Sequence, residues 1–434
     1  MKKRPNILFF LPDQHRADWL GCASDLPLKT PNIDQLAADG TRFTETYCAS
    51  PLCAPSRACL ASGRSYDDCG VVDNGQNYPL DIPTYYQKLR NAGYRVAGVG
   101  KFDLHKPEHD WGLDGSRMLS EWGFTEGIDN EGKLDGSHHY LHNDCQPKGP
   151  YMKHLHDLGI AEEYAHEHDE PLRKQNHNSY ITGAPESSYC DNWVAENGLH
   201  FLREFPSSQP WHLVVNFTGP HDPMDVTEAM HDKWKDVDFP LPYRNTETDE
   251  EGVLRARRYY AAMIENIDHQ VGRFIEAVKA RGELENTLIV YASDHGDMLG
   301  DFNKWGKIVW RELSMKIPLI MRGPEIAAGK VTETLVSLPD LAATFLDYAG
   351  VSAFSGKSEA QSLVPFLHGE KEEHRSQVKC GLCEWRSIRE NNFKLIRDKE
   401  QFYLFDLEKD PREERDVSSD YPQVYADLKR KLME

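Results

Sequence analysis

Over roughly the first 350 positions, short apolar runs alternate with amphipathic stretches. Residues 7–11, 96–99, 213–217, 288–292 and 317–321 are such runs. A strand with one face in water alternates polar and apolar residues. Near-continuous runs fit strands covered on both faces of a largely parallel sheet. The stretches between them carry helical periodicity. Residues 31–38 put Ile33, Leu36 and Ala37 on one face and stop before Gly40. Residues 84–92 stop at Gly93, and residues 254–280 repeat Met263, Ile264, Ile267, Val271, Phe274, Ile275 and Val278 ahead of Gly282. Ser337 and Asp340 have the spacing of a capping box opening a helix over 338–348. Alternating strands and helices predict an α/β fold: a large, mostly parallel or mixed sheet sandwiched by helices.

Two regions leave this rhythm. Residues 125–190 are polar and Gly-rich and hold eight of the 19 histidines: His138, His139, His142, His154, His156, His166, His168 and His177. Their spacing matches no metal-ligand pattern, and the expectation is an irregular surface insertion, with a loop that shapes a substrate pocket as the alternative. From about residue 355 onward, residues 383–388, 393–397 and 401–406 read as short antiparallel strands, with a closing helix over 423–433. This predicts a catalytic domain over 1–355 and a small α+β subdomain over 356–434.

Hydrophobic residues make up 39% of the chain, enough for a sizeable core. Lys and Arg total 50 against 70 Asp and Glu, a net charge of −20. Such a surface repels phosphate backbones and anionic lipid, so neither nucleic acid nor membrane is expected as a partner. No apolar run is long enough for a bilayer span. Lys2, Lys3 and Arg4 precede an apolar run, as in a signal peptide, but the run ends at Pro12-Asp13 with no small-residue cleavage site. A core strand and a cytoplasmic location are therefore expected. Nine scattered cysteines do not suggest a disulfide framework. Cys380 and Cys383 form a lone CxxC and read as core or turn cysteines.

The chemistry lies just past the strands. Asp13-Gln14, Gly100-Lys101, Pro220-His221 and Asp294-His295-Gly296 each follow an apolar run. Ligands of open parallel sheets bind outside the carboxyl ends of the strands. One such Asp is ordinarily a turn or a helix cap; four polar strand ends on one edge make a site. Asp13, Gln14, Asp294 and His295 offer mostly oxygen donors with one imidazole. That set suits one hard divalent cation, Ca²⁺ or Mg²⁺, with Mn²⁺ admitted by the nitrogen. The densest local signal is Cys53-Ala54-Pro55-Ser56-Arg57-Ala58-Cys59-Leu60-Ala61-Ser62-Gly63-Arg64. Pro55 is placed to open a helix and Gly63 to close it. Cys53 then sits at a helix N-terminus, which favours an anion, and Arg57 is one turn on, able to fork onto a tetrahedral oxyanion.

Cys-x-Pro-Ser-Arg followed by Leu-x-Ser-Gly-Arg resembles the signature of the type I sulfatases, in the alkaline phosphatase superfamily. Residues 6–14, Thr30-Pro31-Asn32-Ile33-Asp34, Gly100-Lys101, Pro220-His221, Ser293-Asp294-His295-Gly296, Gly306-Lys307 and the stretch 404–411 also fall in that family's order. The resemblance implies that a maturation enzyme converts Cys53 to Cα-formylglycine, whose hydrate is the nucleophile and also meets the metal. It implies that Asp13, Gln14, Asp294 and His295 bind that metal, with Ca²⁺ the first expectation. It places Arg57 and Lys101 on the hydrate and the sulfate oxygens, His221 and Lys307 near the bridging oxygen, and Asn74 on the sulfate. The implied substrate is a sulfate ester of a sugar or small organosulfate.

Two positions depart from the pattern. Many relatives have a second Asp where this chain has Gln14, and Gln there resembles the phosphonate monoester hydrolases of the same superfamily. That makes phosphonate monoesters or phosphodiesters the alternative substrates. The family also often reads Gly-Lys-x-His, where the His serves as a base. Here Asp103 occupies the place and His105 follows two residues on, so both stand as candidates. A third reading, a metal-holding glycan binder, would keep Cys53 as a thiol.

Overall fold

The computed structural model describes residues 4–168 and 178–434; His177 lies outside them. Eleven strands precede the C-terminal region among the described residues. They are β1 (Asn6–Phe10), β2 (Thr41–Tyr47), β3 (Arg95–Gly100), β4 (Glu126–Asp129), β5 (Ser179–Ile181), β6 (Trp211–Asn216), β7 (Met224–Val226), β8 (Thr287–Ala292), β9 (Lys316–Arg322), β10 (Lys330–Thr332) and β11 (Val336–Ser337). Nine form one sheet in the order β10-β2-β9-β8-β1-β6-β3-β4, with β11 also beside β2. From β8 through β1, β6 and β3 to β4 all pairs are parallel. β9 runs antiparallel to both neighbours, β8 and β2, so the sheet is mixed.

β1 shows why the apolar runs are near-continuous. All five of its residues are buried. Ile7 and Phe9 join one core cluster, whereas Leu8 and Phe10 join another on the opposite face. Each such side chain, fully buried, contributes roughly 1.5–3 kcal/mol relative to exposure. One face is covered by the helices Pro31–Ala38, Cys190–Glu204 and Glu250–Ala280. The last of these spans 31 residues and buries Ile264, Ile267, Val271, Phe274 and Val278. The other face receives the helices Cys53–Ser62, Tyr85–Asn91 and Asp340–Tyr348.

Several expectations need correction. β2 and β4 escape a search for apolar runs, because Thr-Arg-Phe-Thr-Glu-Thr-Tyr and Glu-Gly-Ile-Asp are mostly polar. The described residues of 125–190 are not irregular. They begin with β4, the edge of the main sheet, and continue in the helices Lys133–Leu141, Pro150–Asp157 and Ala161–Glu167. These bury Tyr140, Tyr151, Met152, Leu155 and Tyr164 in a cluster of their own. The capping box at Ser337 is only half formed. Ser337 N–H donates to the Asp340 carboxylate at 3.0 Å, but the helix begins at Asp340 with Pro339 as its N-cap. Asp340 instead receives Gln361 N–H at 2.8 Å and Arg375 Nε at 2.6 Å, which ties the C-terminal region to the main core.

That region holds four strands rather than three: β12 (Gln377–Leu382), β13 (Trp385–Glu390), β14 (Phe393–Asp398) and β15 (Gln401–Asp406). They pair as an antiparallel meander, with the helix Pro422–Met433 packed against it. Cys380 is buried in β12, while Cys383 is exposed in the turn at φ +48°, so the strand expected from 383 begins two residues later. All nine cysteines are free. No described helix is long and apolar enough to cross a membrane.

Candidate active site

β1, β8, β6 and β3 lie side by side and end at the same edge. Beyond β1, Asp13 N–H bonds to the carbonyls of Phe217 and Gly219, both at 3.1 Å, which holds it against the end of β6. Beyond β8, the Ser293 hydroxyl donates to Pro12 O at 3.0 Å and accepts from His15 N–H at 2.8 Å. Gln14 takes φ +69°, and its N–H donates to Asp294 Oδ1 at 2.9 Å. The two carboxylate-bearing turns are thus stitched together.

Cys53 is the first residue of its helix, which Gly63 closes in the left-handed conformation. Leu52 supplies no side-chain cap; Asn74 Oδ1 accepts Ala54 N–H at 3.1 Å instead. Ser56 Oγ donates to Asp294 O at 2.6 Å and anchors the helix to the end of β8. The ligand atoms of Asp13, Cys53, Asp294 and His295 consequently lie within 4.8 Å of one another, all buried. Cys53 Sγ is 3.2 Å from His295 Nε2 and 3.6 Å from Asp13 Oδ1. His295 Nδ1 faces the Gly296 carbonyl at 3.0 Å. A carbonyl only accepts, so Nδ1 carries the hydrogen and Nε2 turns its lone pair to the cluster. Two carboxylates, an imidazole nitrogen and a sulfur converging in a buried cluster fit a divalent cation.

Cations crowd the same space. Arg57 Nε donates to Asp294 Oδ2 at 2.9 Å, and its NH1 to Lys101 O at 2.5 Å and Asn216 Oδ1 at 3.3 Å. Arg57 NH2 is buried with no hydrogen-bond partner, 3.7 Å from Asp13 Oδ2. Lys101 Nζ bonds to Asp13 and lies 3.0 Å from Asp103 Oδ2. Lys307 Nζ bonds to Gln14 Oε1 and to His221 Nε2, while His221 Nδ1 faces Asp222 O at 2.6 Å. Burial alone would raise the Asp13 carboxyl, yet Lys101, His221, Arg57 and Lys307 hold it well below the usual range. Burial and Asp13 likewise oppose ionisation of Cys53, but Lys101, Lys307 and His295 bring its thiol well down. Burial would lower Lys101, and Asp103, Asp13 and Cys53 instead raise it. The site therefore holds ionised groups of both signs in a buried volume, where their fields are strong.

Asp103 and His105 separate clearly. Asp103 takes φ +53° and is buried with its carboxylate on Lys101, 3.6 Å from Lys106. Burial would raise its carboxyl, but Lys101, Lys106 and Arg57 keep it ionised. His105 stands at the start of the short 3₁₀ turn Lys106–Glu108 without capping it, and its charged neighbours are Glu108, Arg117 and Asp110 rather than the cluster.

Sequence reasoning passed over Asp297. Its carboxylate accepts from the Gln14 side-chain amide, from Leu299 N–H at 2.6 Å and from Gly306 N–H at 3.2 Å. It thereby fixes which way the Gln14 carbonyl oxygen points. Its place two residues after His295 was the available signal. Asn216, a lone polar residue in an apolar run, was another.

The sequence matches the family described as Sulfatase over residues 5–351, and the one described as N-sulphoglucosamine sulphohydrolase, C-terminal, over residues 300–434. It is 29% identical to the arylsulfatase of Clostridium perfringens, over 99% of this chain and 94% of that one. It is 31% identical to the choline-sulfatase of Rhizobium meliloti, over 94% of this chain and 81% of that one. The fold resembles the phosphonate monoester hydrolase of Agrobacterium radiobacter, with a TM-score of 0.80 and 24% identity, covering 99% and 95% of the two chains. With its buried acid–imidazole–sulfur cluster under an arginine and two lysines, this chain belongs to the sulfatase family and is a sulfuric ester hydrolase.

Proposed function

We propose that the protein hydrolyses the sulfate ester of a sugar or small organosulfate, with Cys53 matured to Cα-formylglycine and one Ca²⁺ held by Asp13, Gln14, Asp294, His295 and residue 53. One observation carries this reading: Cys53 Sγ lies buried inside the acidic ligand cluster while Lys101 and Lys307 face it. When present, the aldehyde hydrate and the cation supply an oxygen nucleophile and a Lewis acid. The relatives' names, arylsulfatase and choline-sulfatase, and the sulphoglucosamine name of the C-terminal match support small organosulfates and sugars.

The remaining work falls to this chain's own side chains. Arg57 and Lys101 bind the sulfate oxygens; the unpartnered Arg57 NH2 is a donor ready for one of them. Asp103 stays ionised and holds Lys101 in place. Lys307 and His221, in contact with each other, hold a proton beside the bridging oxygen as negative charge builds there. That proton matters most for a poor leaving group. His221→Ala is therefore expected to slow hydrolysis of an alkyl or sugar sulfate by about 10²-fold. A nitrophenyl sulfate should be nearly unaffected, as read from kcat on the two substrates. Equal losses on both would assign His221 to sulfate binding instead.

The maturation is tested by mass spectrometry of the Cys53 peptide, from protein made in a host with the maturation enzyme. A –CHO group in place of –CH₂SH is expected. A fully active preparation carrying only the thiol would overturn the reading. Gln14 favours the second reading, a phosphonate monoester or phosphodiester hydrolase, because its neutral amide leaves more positive charge at the metal cluster than an Asp would. Sulfate esters and phosphodiesters are both monoanions, so kcat/KM on matched aryl substrates separates the two readings.

A further inference from the structure

The loop that carries Lys307 is strained at the residue after it. Ile308 sits at φ +83°, a region that a β-branched residue avoids because its Cβ crowds the backbone. The residue is 54% exposed, so no core packing compensates. Backbone hydrogen bonds hold it instead. Ile308 N–H donates to Pro51 O at 3.2 Å, two residues before Cys53. Ile308 C=O accepts the Trp385 indole N–H at 3.1 Å.

Trp385 lies on β13 of the C-terminal sheet and packs into the core cluster shared with the main sheet. The same sheet region grips the next residues of the loop. Lys394, on β14 and fully buried, donates to Trp310 O at 2.7 Å and pairs with Glu312 at 2.9 Å and Glu413 at 2.6 Å. Arg311 NH1 donates to Arg412 O at 2.8 Å. On the near side, Gly306 N–H is held by Asp297.

We infer that Trp385 is a positioning residue for sulfate ester hydrolysis: its indole N–H pins Ile308 in the left-handed conformation that aims Lys307 at His221 and Gln14. The inference rests on the leaving-group role proposed above for Lys307. A strained residue persists only while its surroundings over-determine it. Without the indole bond, Ile308 relaxes toward negative φ, and the adjoining peptide turns Lys307 away from His221. Arg57 and Lys101 share no hydrogen bond with Trp385, so sulfate binding should be untouched.

Trp385→Phe keeps an aromatic ring and deletes the donor. On an alkyl or sugar sulfate, kcat is expected to fall roughly fivefold to tenfold, the worth of one hydrogen bond. On a nitrophenyl sulfate kcat should hold, as should the inhibition constant of inorganic sulfate. Glycine adopts φ +83° without a Cβ penalty. In the Ile308→Gly background, Trp385→Phe should therefore cost little. Lys307→Ala separates the two levels of the argument. If it causes no leaving-group-dependent loss, the proposed role of Lys307 fails. If it does, but Trp385→Phe slows both substrates equally, changes neither, or costs as much in the Ile308→Gly background, the inference about Trp385 is overturned. Ile308→Gly alone leaves Trp385 in place, so it tests the strain even if Trp385→Phe does not fold. Its melting temperature should hold or rise, and a clear fall would also overturn the inference.

Discussion

Cys53→Ala is expected to abolish turnover and leave the fold intact. Cys53 occupies the first turn of its helix, where alanine is an excellent helix former. The contacts that seat the helix belong to other residues: Ala54 N–H on Asn74, Ser56 on Asp294 and Gly63 at the C-terminus. The substitution removes one small buried side chain from a cluster already rich in charge. The chemistry has no such redundancy. Among the described residues, no other thiol joins the ligand cluster of Asp13, Asp294 and His295. The expected loss is roughly 10⁴-fold or more in kcat, as for other enzymes deprived of their nucleophile. The checks are turnover of a nitrophenyl sulfate and a thermal melt on the same sample. Cys53→Ser should be equally inactive when the host's maturation enzyme accepts only cysteine. Near-normal turnover by Cys53→Ala would remove residue 53 from the reaction.

How much of this was legible in the sequence follows from where each residue's partners lie. β1, β3, β6, β8 and β9 were legible because both of their faces are buried, which forces apolar residues at successive positions. β2 was not, because Arg42, Thr44 and Glu45 are only partly buried and the buried Thr41 and Thr46 are themselves polar. Asp13, Lys101, His221, Asp294 and His295 were legible as polar residues at strand ends. Asp297 gave only a weak signal, since its role depends on a side-chain bond to Gln14 at the far end of the chain. The choice between Asp103 and His105 needed backbone conformation: φ +53° at Asp103 folds its carboxylate back onto Lys101. The brace between Trp385 and Ile308 joins two segments with no sequence pattern in common.

Asp294→Ala is expected to cost the protein its metal and its activity together. The Asp294 carboxylate has several tasks: Oδ1 accepts Gln14 N–H and His295 N–H, both at 2.9 Å, and Oδ2 accepts Arg57 Nε at 2.9 Å. Burial and Asp13 push its carboxyl up, whereas His295 and Arg57 pull it down. A divalent cation adds positive charge beside the same oxygens and would keep them ionised. Removing the carboxylate leaves Arg57 buried beside Lys101 with one acid fewer, a balance that repels the metal cation. Loss of one partner from a buried pair costs about 3–5 kcal/mol, so a lower melting temperature should accompany the loss of metal. Asp294→Asn distinguishes the two effects. It keeps the size and one carbonyl oxygen but removes the charge, so the fold should suffer less while metal is still lost. Elemental analysis of purified protein gives the metal content, and activity after chelation and re-addition of Ca²⁺, Mg²⁺ or Mn²⁺ gives the link to catalysis. Inactive Asp294→Asn protein with a full complement of metal would exclude Asp294 as a ligand, and full activity in metal-free wild type would exclude the cation from the reaction.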